Sequence, residues 1–169
     1  MSKYILVVSD THGRHEHLRA IIRKVKPDKI YHLGDAEGYT SDIYQMAKDI
    51  CNREVPCEFI AGNCDMFAGD YLSNFLILKV GNENVYLCHG HREHVKSGLE
   101  LLAATAKQND CSIALYGHTH IPNNCEINGV RIMNPGSVSL PRQEGRLPSY
   151  GMLIVEDDGR VELANCVLE

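Results

Sequence analysis

The sequence predicts an α/β sandwich, with a parallel portion first, antiparallel hairpins after it and helices on the outside. Two observations predict it. Up to Ala61, short apolar runs rich in β-branched residues alternate with segments whose apolar residues recur at helical spacing, and a β-α-β-α-β order implies right-handed crossovers and a parallel sheet. Beyond that point, strand-like runs come in pairs around Gly, Asn and Asp turns, the mark of hairpins.

Taken in order, Tyr4 to Val8 (YILVV) is a continuous apolar run, as a strand covered on both faces requires. Leu18, Ile21, Ile22 and Val25 fall at i, i+3, i+4 and i+7, one face of a first helix. Lys29 to Leu33 is a second strand, Ile43, Met46, Ala47 and Ile50 repeat the helical spacing, and Cys57 to Ala61 is a third strand. Phe75 to Val80 and Val85 to Cys88 flank Gly81-Asn82-Glu83-Asn84 as a hairpin. A third helix follows, with an inner face of Leu99, Leu102, Ala103 and Ala106; Ser97, with Glu100 three residues on, opens it as a capping box. Ser112 to Tyr116 is a buried strand. Cys125 to Ile127 and Val130 to Met133 surround Asn128-Gly129, a strong hairpin cue because both residues tolerate positive φ. Tyr150 to Val155 and Arg160 to Cys166 form a last hairpin around Asp157-Asp158-Gly159. No repeat, low-complexity segment or linker interrupts the pattern, so residues 1–169 read as one domain.

Composition narrows the function classes. With 44% hydrophobic and 23% charged residues, the chain is neither disordered nor fibrous. A formal charge of -5 without a Lys/Arg run argues against a protein that coats nucleic acid. No apolar run approaches the roughly 20 residues of a membrane-spanning helix, and the apolar part of MSKYILVVSDTHG is too short for a secretory signal. The 7 cysteines are scattered, odd in number and lack a C-x-x-C pair, the pattern of reduced thiols. A cytoplasmic protein with no membrane partner is expected.

The chemistry is positional. Five strand-like runs each end in a polar residue able to bind a metal: VVSD at Asp10, YHLGD at Asp35, FIAGN at Asn63, VYLCH at His89 and IALYGH at His118. Sites in open α/β sheets form outside the carboxyl ends of strands. His12 and His120 each add a donor from the following turn, and Gly34, Gly62, Gly90 and Gly117 stand beside the set, where the lack of a Cβ permits close approach to a ligand. Two carboxylates, one carboxamide and four imidazoles exceed the four donors of a closed zinc site, whereas two ions sharing one carboxylate would use all seven. Imidazole mixed with oxygen suits divalent Mn, Fe, Ni, Co or Zn better than Mg or Ca, and manganese is the first expectation. Two such ions stabilise both attacking and leaving oxygens of a phosphoryl displacement and acidify a bridging water toward hydroxide.

Asp10-Thr-His12, Gly34-Asp35, Gly62-Asn63, His89-Gly90 and Gly117-His118-Thr-His120 resemble the ordered motif series of the calcineurin-like metallophosphoesterases. Asn134-Pro-Gly-Ser137 extends the likeness into a small single-domain phosphodiesterase branch related to the retromer scaffold subunit. The resemblance implies a two-sheet αββα sandwich. It implies that Asp10, His12 and His120 bind one ion, that Asn63, His89 and His118 bind the other, and that Asp35 bridges them. Many larger relatives place a leaving-group histidine where Cys64 stands. With a cysteine there, esters with good leaving groups are favoured, or His91 supplies the proton as general acid or contacts the phosphate.

Blander readings stand beside these. Any one strand-end polar residue could simply cap a turn; all seven in this order argue otherwise. His32, inside a strand, reads as a hydrogen-bonded core residue, and His15, His17 and His94 as exposed turn or helix residues. Cys64 reads as a passive thiol, and Asn134 to Ser137 as a turn supporting the site from behind. His89-Gly-His91-Arg-Glu93-His94 approaches the H-x-H-x-D-H of metallo-β-lactamase-fold hydrolases, a decoy that leaves Asp10, His12, Asp35 and Asn63 without a role. The expected function is hydrolysis of small phosphodiesters. The alternatives are a metal-binding interaction scaffold of the same fold and, less favoured by the charge and short chain, a nuclease. Substrate selectivity is assigned to loops 36–41, 64–74 and 139–149, and a homodimer suits the size and fold.

Overall fold

Along the first strand Ile5 and Val7 face one way and Leu6 and Val8 the other, and all four are buried. Such a strand must be covered on both faces. In the computed structural model, which describes residues 2–65 and 71–169, β1 (Lys3–Val8) pairs in parallel with β2 (Lys29–His32), and β2 with β3 (Cys57–Phe59). Helices α1 (Glu16–Val25) and α2 (Thr40–Cys51) make the crossovers. The predicted faces of these helices, Leu18, Ile21 and Ile22 on α1 and Ile43, Met46 and Ala47 on α2, are buried against Leu6, Val8 and Ile30. Truncating one of these, such as Ile21→Ala, would cost ~2–5 kcal/mol because the site cannot collapse around the gap.

The last hairpin, β9 (Ser149–Val155) and β10 (Val161–Val167), joins the same sheet antiparallel to β1, giving the order β10-β9-β1-β2-β3. The second sheet is β4-β5-β6-β8-β7, from β4 (Phe75–Val80), β5 (Glu83–Cys88), β6 (Ile113–Leu115), β7 (Asn123–Ile127) and β8 (Val130–Asn134). The hairpins form as expected. Around Asn128 (φ 53°) and Gly129 (φ 81°), Ile127 pairs with Val130, the paired positive φ values that a type I′ turn needs. The β4–β5 turn tightens to Gly81-Asn82, because β5 begins at Glu83. The sequence did not anticipate a second parallel group, β5-β6-β8, with α3 (Glu100–Gln108) packed on it.

The two sheets face each other through Ile5, Val7, Tyr31, Leu33 and Leu153 on one side and Val85, Leu87, Ile113, Leu115 and Met133 on the other. With α1 and α2 outside the first sheet and α3 outside the second, the layers run α-β-β-α. One local expectation fails. Helix α3 begins at Glu100 with Leu99 as N-cap and no side-chain cap, so Ser97 and Glu100 form no capping box. Ser97 belongs instead to the preceding turn, where its N–H donates to the His94 carbonyl. Among the described residues, no helix is long and apolar enough to cross a membrane.

Candidate metal centre

The predicted donors lie just past the carboxyl ends of parallel strands: Asp10 and His12 after β1, Asp35 after β2, Asn63 after β3, His89 after β5, His118 and His120 after β6. Backbone bonds join the turns. The N–H groups of Asp10, His12 and Gly13 donate to the carbonyls of Gly34 (3.0 Å), Asp35 (2.9 Å) and Ala36 (2.8 Å), and that of Gly117 to His89 (3.0 Å). Loops held this close leave no room for certain side chains. A Cβ on Gly62 would lie 2.0 Å from Asp35 Oδ1, and one on Gly117 would lie 2.0 Å from Ser9 Oγ. These glycines make room for a neighbouring donor loop, so the close approach is loop to loop. Asp10, His12, Asp35, His118 and His120 all adopt φ between 46° and 66°. Left-handed backbone is uncommon outside glycine, and clusters of it mark functional sites.

The side chains converge. Nε2 of His120, His89 and His12 stand 3.2, 3.9 and 4.0 Å from Asp10 Oδ1. Asp35 Oδ2 lies 3.4 Å from Nε2 of His89 and 4.0 Å from that of His12. Asn63 Oδ1 is 3.2 Å from His89 Nε2. The His118 ring stands edge-on to His89, centroids 5.1 Å apart, and its N–H backbone group donates to Asp10 Oδ2 at 3.1 Å. Asp10, Asp35, His89 and His120 are buried, His12 and His118 half-buried, and Asn63 exposed at the rim. Thus Asp10, His12, Asp35, His89 and His120 form a tight set, Asn63 touches it through His89, and His118 adjoins it by ring contact.

Three imidazoles are aimed by their other nitrogen. Nδ1 of His89 bonds the Leu33 carbonyl (2.6 Å), that of His120 the Leu140 carbonyl (2.8 Å), and that of His12 the Glu37 carboxylate (2.5 Å). Each Nε2 is left facing the centre, the arrangement that fixes tautomer and direction in metal-binding histidines. Asp10 Oδ1 is buried and, among the described residues, is without a hydrogen-bond partner of good geometry, with His120 Nε2 3.2 Å away. A buried carboxylate oxygen faced by three imidazoles is a donor set that fits a divalent transition ion. Ligand atoms of Asp10, His12 and His120 lie within 4.8 Å of one another, as do those of Asp10, Asp35 and His89, and those of His12, Asp35 and Cys64.

Electrostatics follow the same geometry. Burial would raise the Asp35 carboxyl, but the hydrogen bond and charge of His89, with the Cys64 N–H, hold it well below the carboxylate range. Asp10 is likewise lowered, burial being outweighed by His120 and His89. His89 itself is raised: Asp35 and Asp10 overcome its desolvation. The Cys64 thiol is pushed up to about 11 by desolvation and then by Asp35, Glu37 and Asp65, so it stays protonated at neutral pH.

Asp65 completes the site, and sequence reading did not single it out. Asp65 Oδ2 accepts the N–H groups of Asp35 and Gly62, both at 2.7 Å, and its Oδ1 that of Glu37 at 2.9 Å. An acid in Gly62-Asn63-Cys64-Asp65 is a turn signal, but the amides it reaches thirty residues away are not written there. Asn134 and Ser137 do support the centre from behind. Asn134 Nδ2 donates to the Gly117 carbonyl (2.8 Å) and Ser137 Oγ to the Asp10 carbonyl (2.8 Å). His32 is buried, bonded to Thr11 Oγ1 at 3.0 Å and stacked on Phe59. His17 and His94 are exposed as expected, but His15, whose carbonyl accepts the Arg19 N–H at the start of α1, is half-buried with Nε2 inside. His91 sits beside the set, its ring 5.4 Å from that of His89 and its Nδ1 buried without a hydrogen-bond partner among the described residues. The H-x-H-x-E-H reading fails: Glu93 is turned away to the Tyr86 hydroxyl (3.2 Å), and His94 is not among the converging donors. Of the selectivity loops, residues 66–70 of 64–74 lie outside the described residues.

Comparison with known proteins points to one family and one fold. The calcineurin-like phosphoesterase superfamily domain matches residues 4–158. A probable metallophosphoesterase of Mycoplasma genitalium is 32% identical over 162 residues, covering 94% of this chain and 91% of its own. The Escherichia coli phosphodiesterase YfcE is 32% identical over 124 residues, 69% of this chain and 61% of its own. Among solved structures, a conserved Streptococcus pneumoniae protein described as a predicted phosphoesterase superposes with TM-score 0.79 at 25% identity, over 99% of this chain and 90% of that one. Vps29 of Entamoeba histolytica, solved with zinc, shares the fold with TM-score 0.72 at 24% identity, over 97% and 98%.

Proposed function

Because the chain belongs to the calcineurin-like phosphoesterase superfamily, we propose that it hydrolyses small phosphodiesters with the help of two divalent metal ions. The observation that carries this reading is the orphaned Asp10 Oδ1 ringed by three Nε2 atoms, each locked by its own Nδ1 bond. Asp10, His12 and His120 would hold one ion, and Asn63, His89 and His118 the other. Asp35 would bridge them, its Oδ2 standing between His12 of one set and His89 of the other. Manganese is proposed first, with Ni, Zn, Fe or Co also fitting the donors. Bound there, the pair would acidify a water and neutralise charge on the phosphoryl oxygens.

The chain's own residues add orientation and proton control. Glu37, Leu33 and Leu140 hold the imidazoles, and the Asp65 carboxylate fixes the Asp35 backbone. Cys64, kept as a thiol, is a weak acid, so esters with good leaving groups are the preferred substrates. Desolvation, with His89 and Arg92 nearby, pushes the His91 ring down. That direction favours the neutral ring, whose one N–H would donate to a phosphate oxygen, over a proton-donating imidazolium.

The test is nitrophenol release from bis(p-nitrophenyl) phosphate with added manganese. Turnover that depends on metal and falls on the order of a hundredfold or more in Asp35→Asn is expected, since even outer partners of metal ligands are worth 10–100-fold. Absence of metal-stimulated turnover would move the assignment to an interaction scaffold. That alternative is favoured only by the likeness to Vps29, a likeness of fold.

A further inference from the structure

Beside the metal centre, on the side of His118, lies a cavity of ≈ 150 Å³ lined by His91, His94, Val95, Lys96, Ser97 and His118. All but Val95 are polar or cationic, and no carboxylate of the described residues lines it. The acid nearest in sequence, Glu93, is buried in the other direction against Tyr86. Among the described residues, the Lys96 ammonium makes no ion pair or hydrogen bond and neither does the His94 ring, although the His94 carbonyl accepts the Ser97 N–H. The His91 ring forms part of the wall, its Nδ1 buried without a partner among the described residues. The segment that carries these groups is not loose. Val95 is buried on Tyr116 and Leu102, its N–H donates to the Gly90 carbonyl, and the Ser97 N–H donates to His94. An unpaired ammonium, imidazole rings and a hydroxyl on a packed turn form a site for an anion.

We propose that this cavity binds a second anionic group of the substrate, a phosphate or carboxylate a few bonds from the scissile phosphorus. The inference rests on the phosphoesterase reading and sharpens it. His118 is shared between the cavity and the proposed metal set, and its ring centroid is 6.1 Å from that of His91. A ligand whose phosphoryl group meets the metal centre would therefore present its neighbouring substituent to Lys96. A neutral substituent would leave that charge unpaired. The preferred substrates would then be phosphate esters that carry a second anionic group beside the scissile one, with Lys96 as the specificity-determining residue.

The experiment compares binding of glycerol 3-phosphate, 3-phosphoglycerate and 1,3-propanediol bisphosphate to the manganese-loaded protein by calorimetry. The first probe carries one anionic group, and the other two carry a second as carboxylate or phosphate. One charge-assisted contact predicts about a tenfold preference for at least one doubly anionic probe, and tenfold corresponds to ~1.4 kcal/mol. In Lys96→Ala the ratio of affinities should fall toward one, and in Lys96→Arg it should persist. The bisphosphate-to-carboxylate order tells which second group is preferred. No preference in the wild type, or a preference that survives Lys96→Ala, overturns the proposal. Failure of bis(p-nitrophenyl) phosphate hydrolysis with this binding preference intact would instead sink the catalytic reading alone.

Discussion

Replacing Asp65 separates a carboxylate that organises the centre from one that merely lies near it. Asp65 is 7% exposed and accepts three backbone N–H groups, two of them in buried positions. Asp65→Ala would strand the amides of Asp35 and Gly62 without a partner, at ~1–3 kcal/mol for each buried donor. Partial relaxation of the loop places the expected loss near ~2–4 kcal/mol. Asp65→Asn keeps one oxygen for Asp35 and Gly62 but turns an NH2 toward the Glu37 N–H, so ~1–2 kcal/mol is expected. Urea denaturation of the metal-free protein measures both, with the midpoint falling at constant slope. Because the Asp35 backbone is what Asp65 holds, manganese affinity should also drop 10–100-fold in Asp65→Ala, the range for outer partners of metal ligands. An Asp65→Ala protein within ~0.5 kcal/mol of wild type, the scatter of ordinary surface changes, and with unchanged metal affinity would refute this reasoning.

Gly62→Ala would place a Cβ 2.0 Å from Asp35 Oδ1 and 2.3 Å from its backbone N; thermal denaturation should show a loss of ~1–3 kcal/mol, as for overpacking, and chelator competition should show weakened metal binding. His94→Ala should leave the metal content of the purified protein as it is, since His94 is exposed and outside the converging donors; loss of metal would restore the H-x-H-x-E-H reading. Burial pushes the His32 ring down to about 4, against the pull of Asp65 and Asp10. Its contribution is therefore intact above the unfolded value of 6.5 and is lost as pH falls toward 4, where the unfolded chain takes up a proton that the native ring refuses. His32→Gln should flatten the pH dependence of thermal stability in that window, and matching slopes would show that another group dominates there.

The parallel strands could be read in the sequence because a strand covered on both faces must be apolar at every position, as Leu6 and Val8 under α1 and Ile5 and Val7 under the second sheet show. Asn128-Gly129 could be read because the turn requires φ values that few residues tolerate. The β5-β6-β8 group could not, since β7 and β8 announce themselves as a hairpin and nothing local tells β8 to lie parallel to β6. The capping box at Ser97 and Glu100 was a matching motif in the wrong place: the preceding turn already uses the Ser97 backbone, and the helix starts later. At the site, the donors showed as polar residues ending apolar runs. Their left-handed backbone at Asp10, His12, Asp35, His118 and His120 did not, because it is imposed by the neighbouring loops. Asp65 and Glu37 were silent for the same reason, acting on groups distant in the chain.

Manganese titration of the metal-free protein, followed by electron paramagnetic resonance and elemental analysis, bears most directly on the paired site. Two ions per chain, magnetically coupled, with the coupling abolished in Asp35→Ala, are the expected result. Binding of a single ion, or two ions whose spectrum is the same with and without the Asp35 carboxylate, would contradict a shared centre.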